Sequence, residues 1–156
     1  MQVLRLINDL LKQPQLKQSP MTDLSLLIKG ALHGIKKRSL VFIVSDFIST
    51  PGWERPLKLL AQRHEVIAIR LWDPREMQLP DVGPVVLEDA ETGEQIYVDT
   101  HDKKFRKRFV EAAQAREEAL METFKRAGVD VLPLSTEGDL IHAIASFVMV
   151  RKQRKK

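Results

Sequence analysis

This chain reads as an α/β protein, a three-layer α/β/α arrangement with parallel strands and one added β-hairpin. Three observations predict it. Helical and strand patterns alternate in the order α-α-β-α-β-hairpin-α-β-α, the signature of helices packed on both faces of a parallel sheet. Residues Leu40, Val41, Phe42, Ile43 and Val44 form a continuous apolar run with no polar alternation, the pattern of an inner strand covered on both faces. That run stops at Ser45-Asp46, which puts a carboxylate just past the C-terminal end of a strand, where open α/β sheets bind ligands. The competing reading of Asp46 is a residue that only turns or caps the loop.

The elements follow in order. Val3–Leu11 carries apolar side chains at helical spacing and Pro14 ends it, with a polar linker over Gln13–Ser19. Thr22-Asp23 opens a second helix whose stripe is Leu24, Leu27, Ile28, Ala31 and Leu32, up to Gly34. The strand Ser39–Ser45 comes next. Pro51 to Pro56 marks the entry of a short helix to about Arg63, since proline is tolerated only in a first turn. Glu65–Leu71 is a second buried strand, ending at Trp72-Asp73-Pro74. Val85–Glu88 and Gln95–Asp99 flank Thr92-Gly93 as a hairpin. A long helix over Asp102–Ala127 is expected to bury Phe105, Phe109, Ala112, Leu120 and Phe124, with Gly128 as its stop. The strand Val129–Leu134 leads into Ser135, and Thr136 with Asp139 resembles an N-cap and its partner for the last helix. Right-handed crossovers would align Asp46, Asp73 and Ser135 along one edge of the sheet.

Composition narrows the function classes. The 156 residues suit one domain, and 44% apolar with 29% charged residues describes a globular protein with a real core. The absence of cysteine excludes disulfide and thiolate chemistry, and His33, His64, His101 and His142 show no ligand spacing. No signal peptide opens the sequence, and the apolar run Ile141–Val150 is too short for a bilayer, so a cytoplasmic location is expected. The formal net charge is +4, but five of the 25 basic residues fall in the last six positions, and without them the 21 acidic residues are in excess by one. The chain thus divides into residues 1–150 and a basic tail, 151–156, expected to fray because it has nothing apolar to bury. No aromatic residue interleaves with that tail, so no specific nucleic-acid binding is expected.

Neither GxGxxG nor GxxxxGK[ST] is present, nor a GxSxG elbow, and no Ser/His/Asp set follows from spacing. What remains is Thr22 before the apolar strand and Asp46 after it. Together with Thr22-Asp23-Leu24, Ser39–Phe47, Trp53–Leu57, Arg63–Glu76, Glu91–Glu94, Val98–Thr100, Ala113–Glu117 and Ala127–Thr136, these residues carry a resemblance over about Val3 to Arg154. The chain resembles the C-terminal half of a von Willebrand factor A-like domain, and more closely the bacterial family of unknown function that accompanies MoxR-type AAA+ ATPases.

The resemblance implies a divalent cation, usually Mg2+, at the C-terminal edge of the sheet, with Thr22 and Asp46 as two of its ligands. The first ligand motif, DxSxS, has no counterpart in this sequence. The resemblance therefore implies half a domain, lacking the first three strands of a 3-2-1-4-5-6 sheet, with an incomplete site; it is either a naturally truncated product or a piece of a longer protein. One hydroxyl and one carboxylate hold Mg2+ only weakly, because the ion demands near-octahedral oxygen coordination. The expected function is a non-enzymatic protein-interaction module, an adaptor for a MoxR-type ATPase. The alternative is a metal-dependent hydrolase of phosphohydrolase type, using Asp46 and Asp73 at the sheet edge to hold a metal and activate water. With its usual neighbour missing, Ser39–Ser45 would be an open edge, and an antiparallel homodimer through that strand is expected.

Overall fold

Caps and prolines divide the chain into helices, and the apolar runs between them pair into a sheet. The computed structural model describes residues 2–12, 22–88 and 93–154. The order is α1 (Gln2–Leu11), α2 (Leu24–Gly34), β1 (Leu40–Ser45), α3 (Glu54–Arg63), β2 (Glu65–Trp72) and α4 (Pro74–Met77). The hairpin strands β3 (Pro84–Glu88) and β4 (Gln95–Asp99) follow, then α5 (Lys103–Ala127), β5 (Asp130–Ser135) and α6 (Leu140–Arg154). The Gln13–Ser19 linker with Pro14, the turn residue Thr92, and Lys155 and Lys156 lie outside the described residues.

The main sheet has the order β1-β2-β5, all parallel, with Leu40 opposite Glu65 and Ile67 opposite Asp130. Spatial order thus follows the chain, with β1 at one end as the sequence implied. The hairpin forms a separate antiparallel pair, Pro84 opposite Asp99. Helix starts are explained by their caps: Asp23 Oδ1 accepts from Ser25 N at 2.8 Å and Asp102 Oδ1 from Lys104 N at 2.8 Å. Gly128 closes α5 in the left-handed conformation, φ 69°, which glycine adopts without a Cβ penalty.

One face of the sheet, with Ile43, Val66 and Ala68, packs on Leu24 and Ile28 of α2, Leu57 and Leu60 of α3, and Phe124 of α5. The other face is covered by α6, which lies over β5. Ile67 and Leu132 are buried there, but the same face of β1 is open: Leu40, Phe42 and Val44 are 50%, 54% and 57% exposed. The expectation of a doubly covered inner strand therefore fails on one side. Apolar content reports what a strand is fit to face, and it does not report whether a neighbour is present.

Other expectations also change. On α5, Ala113 is buried in place of Ala112, which is exposed, and Phe105, Phe109 and Leu120 are half-buried. Leu27 points to solvent although it keeps the α2 period. The cap of α6 is Asp139, whose Oδ1 accepts from His142 N at 2.9 Å, while Thr136 turns elsewhere. The basic stretch does not fray at once: α6 runs through Arg154, and Arg151 bonds Asp130 at 2.7 Å and Glu65 at 2.5 Å, pinning the helix to the starts of β5 and β2. The single turn α4 was not foreseen. No helix among the described residues is long and apolar enough to cross a membrane.

Candidate functional site

The C-terminal ends of β1, β2 and β5 bring three loops to one edge of the sheet. At the end of β1 the chain turns sharply. Ser45 Oγ accepts from Phe47 N at 2.9 Å, and Asp46 Oδ1 accepts from Ile48 N at 3.0 Å, so two short polar side chains bond the backbone two residues on. Phe47 sits at φ 57°, a conformation unusual for a bulky residue. Its ring is buried edge-on against Phe124 at 4.8 Å and beside Trp53 at 5.7 Å, which offsets the backbone cost. The aromatic anchor aims Asp46 outward, where it is exposed.

Thr22 reaches the same loop. Its carbonyl accepts from Ser49 Oγ at 2.9 Å and from Thr50 N at 3.0 Å, and Ser49 Oγ in turn accepts from Leu24 N at 3.0 Å. The start of α2 is therefore bonded to the loop that begins with Asp46, and the two residues singled out from the sequence stand on joined segments.

Asp73 does different work. As N-cap of α4, its Oδ1 accepts from Arg75 N at 2.8 Å, and its Oδ2 accepts from Thr136 Oγ1 at 2.8 Å. Thr136 N also donates to the Trp72 carbonyl at 3.0 Å, so Asp73 ties the end of β2 to the loop after β5. The Arg75 amide, then the Thr136 hydroxyl, hold the Asp73 carboxyl below its ordinary value of 3.8. Ser135 Oγ accepts from Glu137 N at 3.2 Å, again a local turn.

The donor set does not fit a tight magnesium site. Among the described residues no group of three or more His, Asp or Glu side chains could hold a metal ion, and Asp46 brings one carboxylate, already bonded at one oxygen, where the ion wants six oxygens. Both Asp73 oxygens accept hydrogen bonds inside the fold.

Two charged clusters escaped the sequence reading. Arg70, on the covered face of β2, is 2% exposed and meets Glu117 of α5 at 3.2 Å and Glu76 of α4 at 3.6 Å. Asp81 pairs with Arg106 at 2.6 Å and with His101 at 2.6 Å, and these partners, His101 first, hold its carboxyl below 3.8. This second cluster clasps the hairpin base to α5. Beside it Thr100 is buried, its Oγ1 donating to the Gly83 carbonyl at 2.8 Å and accepting from Val82 N at 2.9 Å. A single Arg in an apolar strand was the only available sequence signal for Arg70. The Asp81 cluster joins residues from two loops and a helix, and no spacing rule connects them.

These features define a small α/β domain whose loops converge at one sheet edge and whose first strand is open. The family described as "Protein of unknown function DUF58" matches residues 1–119, and the chain belongs to that family. Its relatives include the uncharacterized protein MAV169 of Mycobacterium avium, 40% identical over 131 residues, covering 84% of this chain and 77% of the relative. The uncharacterized protein Rv1480 of Mycobacterium tuberculosis (strain H37Rv) is 37% identical over 140 residues, covering 90% of this chain. The match covers 44% of Rv1480, so this chain spans less than half of that relative. No solved structure matches the chain.

Proposed function

We propose that this chain is a non-enzymatic protein-interaction module of von Willebrand A-like type, which pairs with its own copy through β1 and serves as an adaptor for a MoxR-type AAA+ ATPase. The observation that carries the reading is the open face and edge of β1. Parallel sheets are ordinarily covered on both faces, yet Leu40, Phe42 and Val44 stand half exposed at the end of the sheet. The outer backbone edge of β1 has no ladder partner among the described residues. An apolar strand left this way is a template for pairing. Covering the exposed halves of these three side chains contributes roughly 3 kcal/mol, and strand hydrogen bonds add to it.

The sheet edge with Thr22 and Asp46 is the surface assigned to the ATPase. Any Mg2+ held there is weak, with a dissociation constant of about a millimolar or above, given so few ligands. The engagement of Asp73 as a cap supports this reading over a hydrolase that needs a second free carboxylate beside Asp46.

Light scattering at tens of micromolar tests the pairing. A particle of twice the 17.9 kDa chain mass is expected, and Phe42→Pro should dissociate or unfold it by removing a ladder donor. A clean monomer would sink self-pairing. The adaptor role is tested by binding to the purified MoxR-type ATPase encoded nearest to the gene, where Asp46→Ala should weaken association and Lys125→Ala should not.

A further inference from the structure

We infer that α1 covers the open face of β1 in a two-fold dimer, the two α1 helices lying side by side between the two α6 helices. This rests on the β1 self-pairing proposed above and states what fills the space that pairing leaves.

Two of the exposed apolar surfaces among the described residues suit each other. One is the stripe Leu4, Ile7 and Leu11 of α1, spaced on one helical face and 74%, 47% and 81% exposed. The other is a groove of about 390 Å³ between β1 and α6, floored by Ile67 and Leu132 and walled by Leu40 and Phe42 against Ile144 and Val148.

The dimensions match. Antiparallel pairing of β1 with its copy makes the strand order β5-β2-β1-β1-β2-β5, with the two-fold axis normal to the sheet and both α6 helices on the same face. At about 4.8 Å between strands, the two β5 strands are about 24 Å apart. Helices pack about 8–10 Å apart, so the interval between the two α6 helices holds two more. At about 1.5 Å per residue the ten residues of α1 run some 15 Å, within the roughly 20 Å of the six-residue β1.

Size points the same way. Strand pairing alone supplies the six residues of β1 from each copy, far below the roughly 20–30 residues a side of a stable interface. Adding the ten residues of α1 and the α6 residues that line the groove, Ile144, Phe147, Val148, Arg151 and Lys152, brings each side to the lower end of that range. The tether also permits it. The start of α2 is bonded to the loop beyond β1, and the nine residues 13–21 can span up to about 30 Å, enough to round the open sheet edge.

The test uses the full chain, which has no cysteine to interfere. Sedimentation analysis compares it with a variant carrying Leu4→Ser, Ile7→Ser and Leu11→Ser. The dimer dissociation constant should rise about tenfold or more, with unchanged far-UV circular dichroism of the folded body. In parallel, Val44→Cys is labelled with maleimide in both backgrounds, and labelling should accelerate about tenfold once the three serines are present. A dimer of unchanged affinity, with equal labelling rates, overturns the role of α1 and leaves β1 pairing standing. A wild-type monomer overturns both. A monomer in which Val44→Cys is protected shows α1 folding over its own strand and overturns the two-fold arrangement.

Discussion

Phe47 holds the turn that presents Asp46, and it does so at a backbone cost. A side chain at φ 57° costs about 1–2 kcal/mol, which the contacts with Phe124 and Trp53 outweigh. Phe47→Ala keeps the strain and loses the ring, so urea unfolding should show a loss of about 3 kcal/mol or more. Phe47→Gly loses the same ring but relieves the strain, and should be the more stable of the two by about 1 kcal/mol, reversing the usual order of alanine over glycine. Equal midpoints would show that the turn is unstrained. Asp73 has a pH signature. Its carboxyl is held below 3.8 in the folded chain by the Arg75 amide and the Thr136 hydroxyl, so its contribution is present above that value and lost as pH falls through the lower folded value. Asp73→Asn keeps the cap geometry but cannot titrate. The stability gap between wild type and Asp73→Asn should therefore be constant at neutral pH and close on acidification below 3.8, as read from urea midpoints across pH.

Elements were legible wherever a local rule fixes them. The helix start at Thr22-Asp23, the Gly128 stop and the three apolar strand runs all lie within a few residues of what they determine, and each stands in the structure close to its expected place, while Asp102, expected as the first residue of α5, is its cap. The paired placement of Thr22 with the Asp46 loop was legible only through the family resemblance, because the bonds that join them run across more than 20 residues. What could not be read is what two distant elements do to each other. Arg151 looked like the first residue of a solvated tail, yet it bridges Asp130 and Glu65, 21 and 86 residues away. This makes it a pin for α6, whose apolar contacts with the sheet are otherwise confined to one side. Arg151→Ala should cost about 1–2 kcal/mol in urea unfolding, discounted for the partial exposure of both carboxylates. Arg151→Lys should recover little of it, since an ammonium lacks the fork that reaches two acceptors at once. Lys152→Ala, one position on and exposed, should be silent.

At the scale of the whole molecule, β1 and β5 are both edge strands among the described residues, but one face of the sheet is covered by α6 only toward β5. Toward β5 the fold closes: α6 lies over Leu132, and the Arg151 bridge locks the helix ends to strand starts. Toward β1 that cover stops, with Leu40, Phe42 and Val44 half exposed on one face and no strand paired to its outer edge among the described residues. The stability of such a chain is coupled to its concentration, because a partner that binds only the folded state stabilises it by mass action. The thermal midpoint of the wild-type chain should rise steadily as concentration increases from about one to one hundred micromolar, by the few degrees that roughly 1–3 kcal/mol is worth in a domain of this size. Phe42→Glu introduces like charges at the paired strands while leaving the monomer fold intact, since Phe42 already stands half exposed. Its midpoint should be independent of concentration and should equal the wild-type value extrapolated to high dilution. A wild-type midpoint that does not move with concentration would mean that the open flank is stable by itself in water.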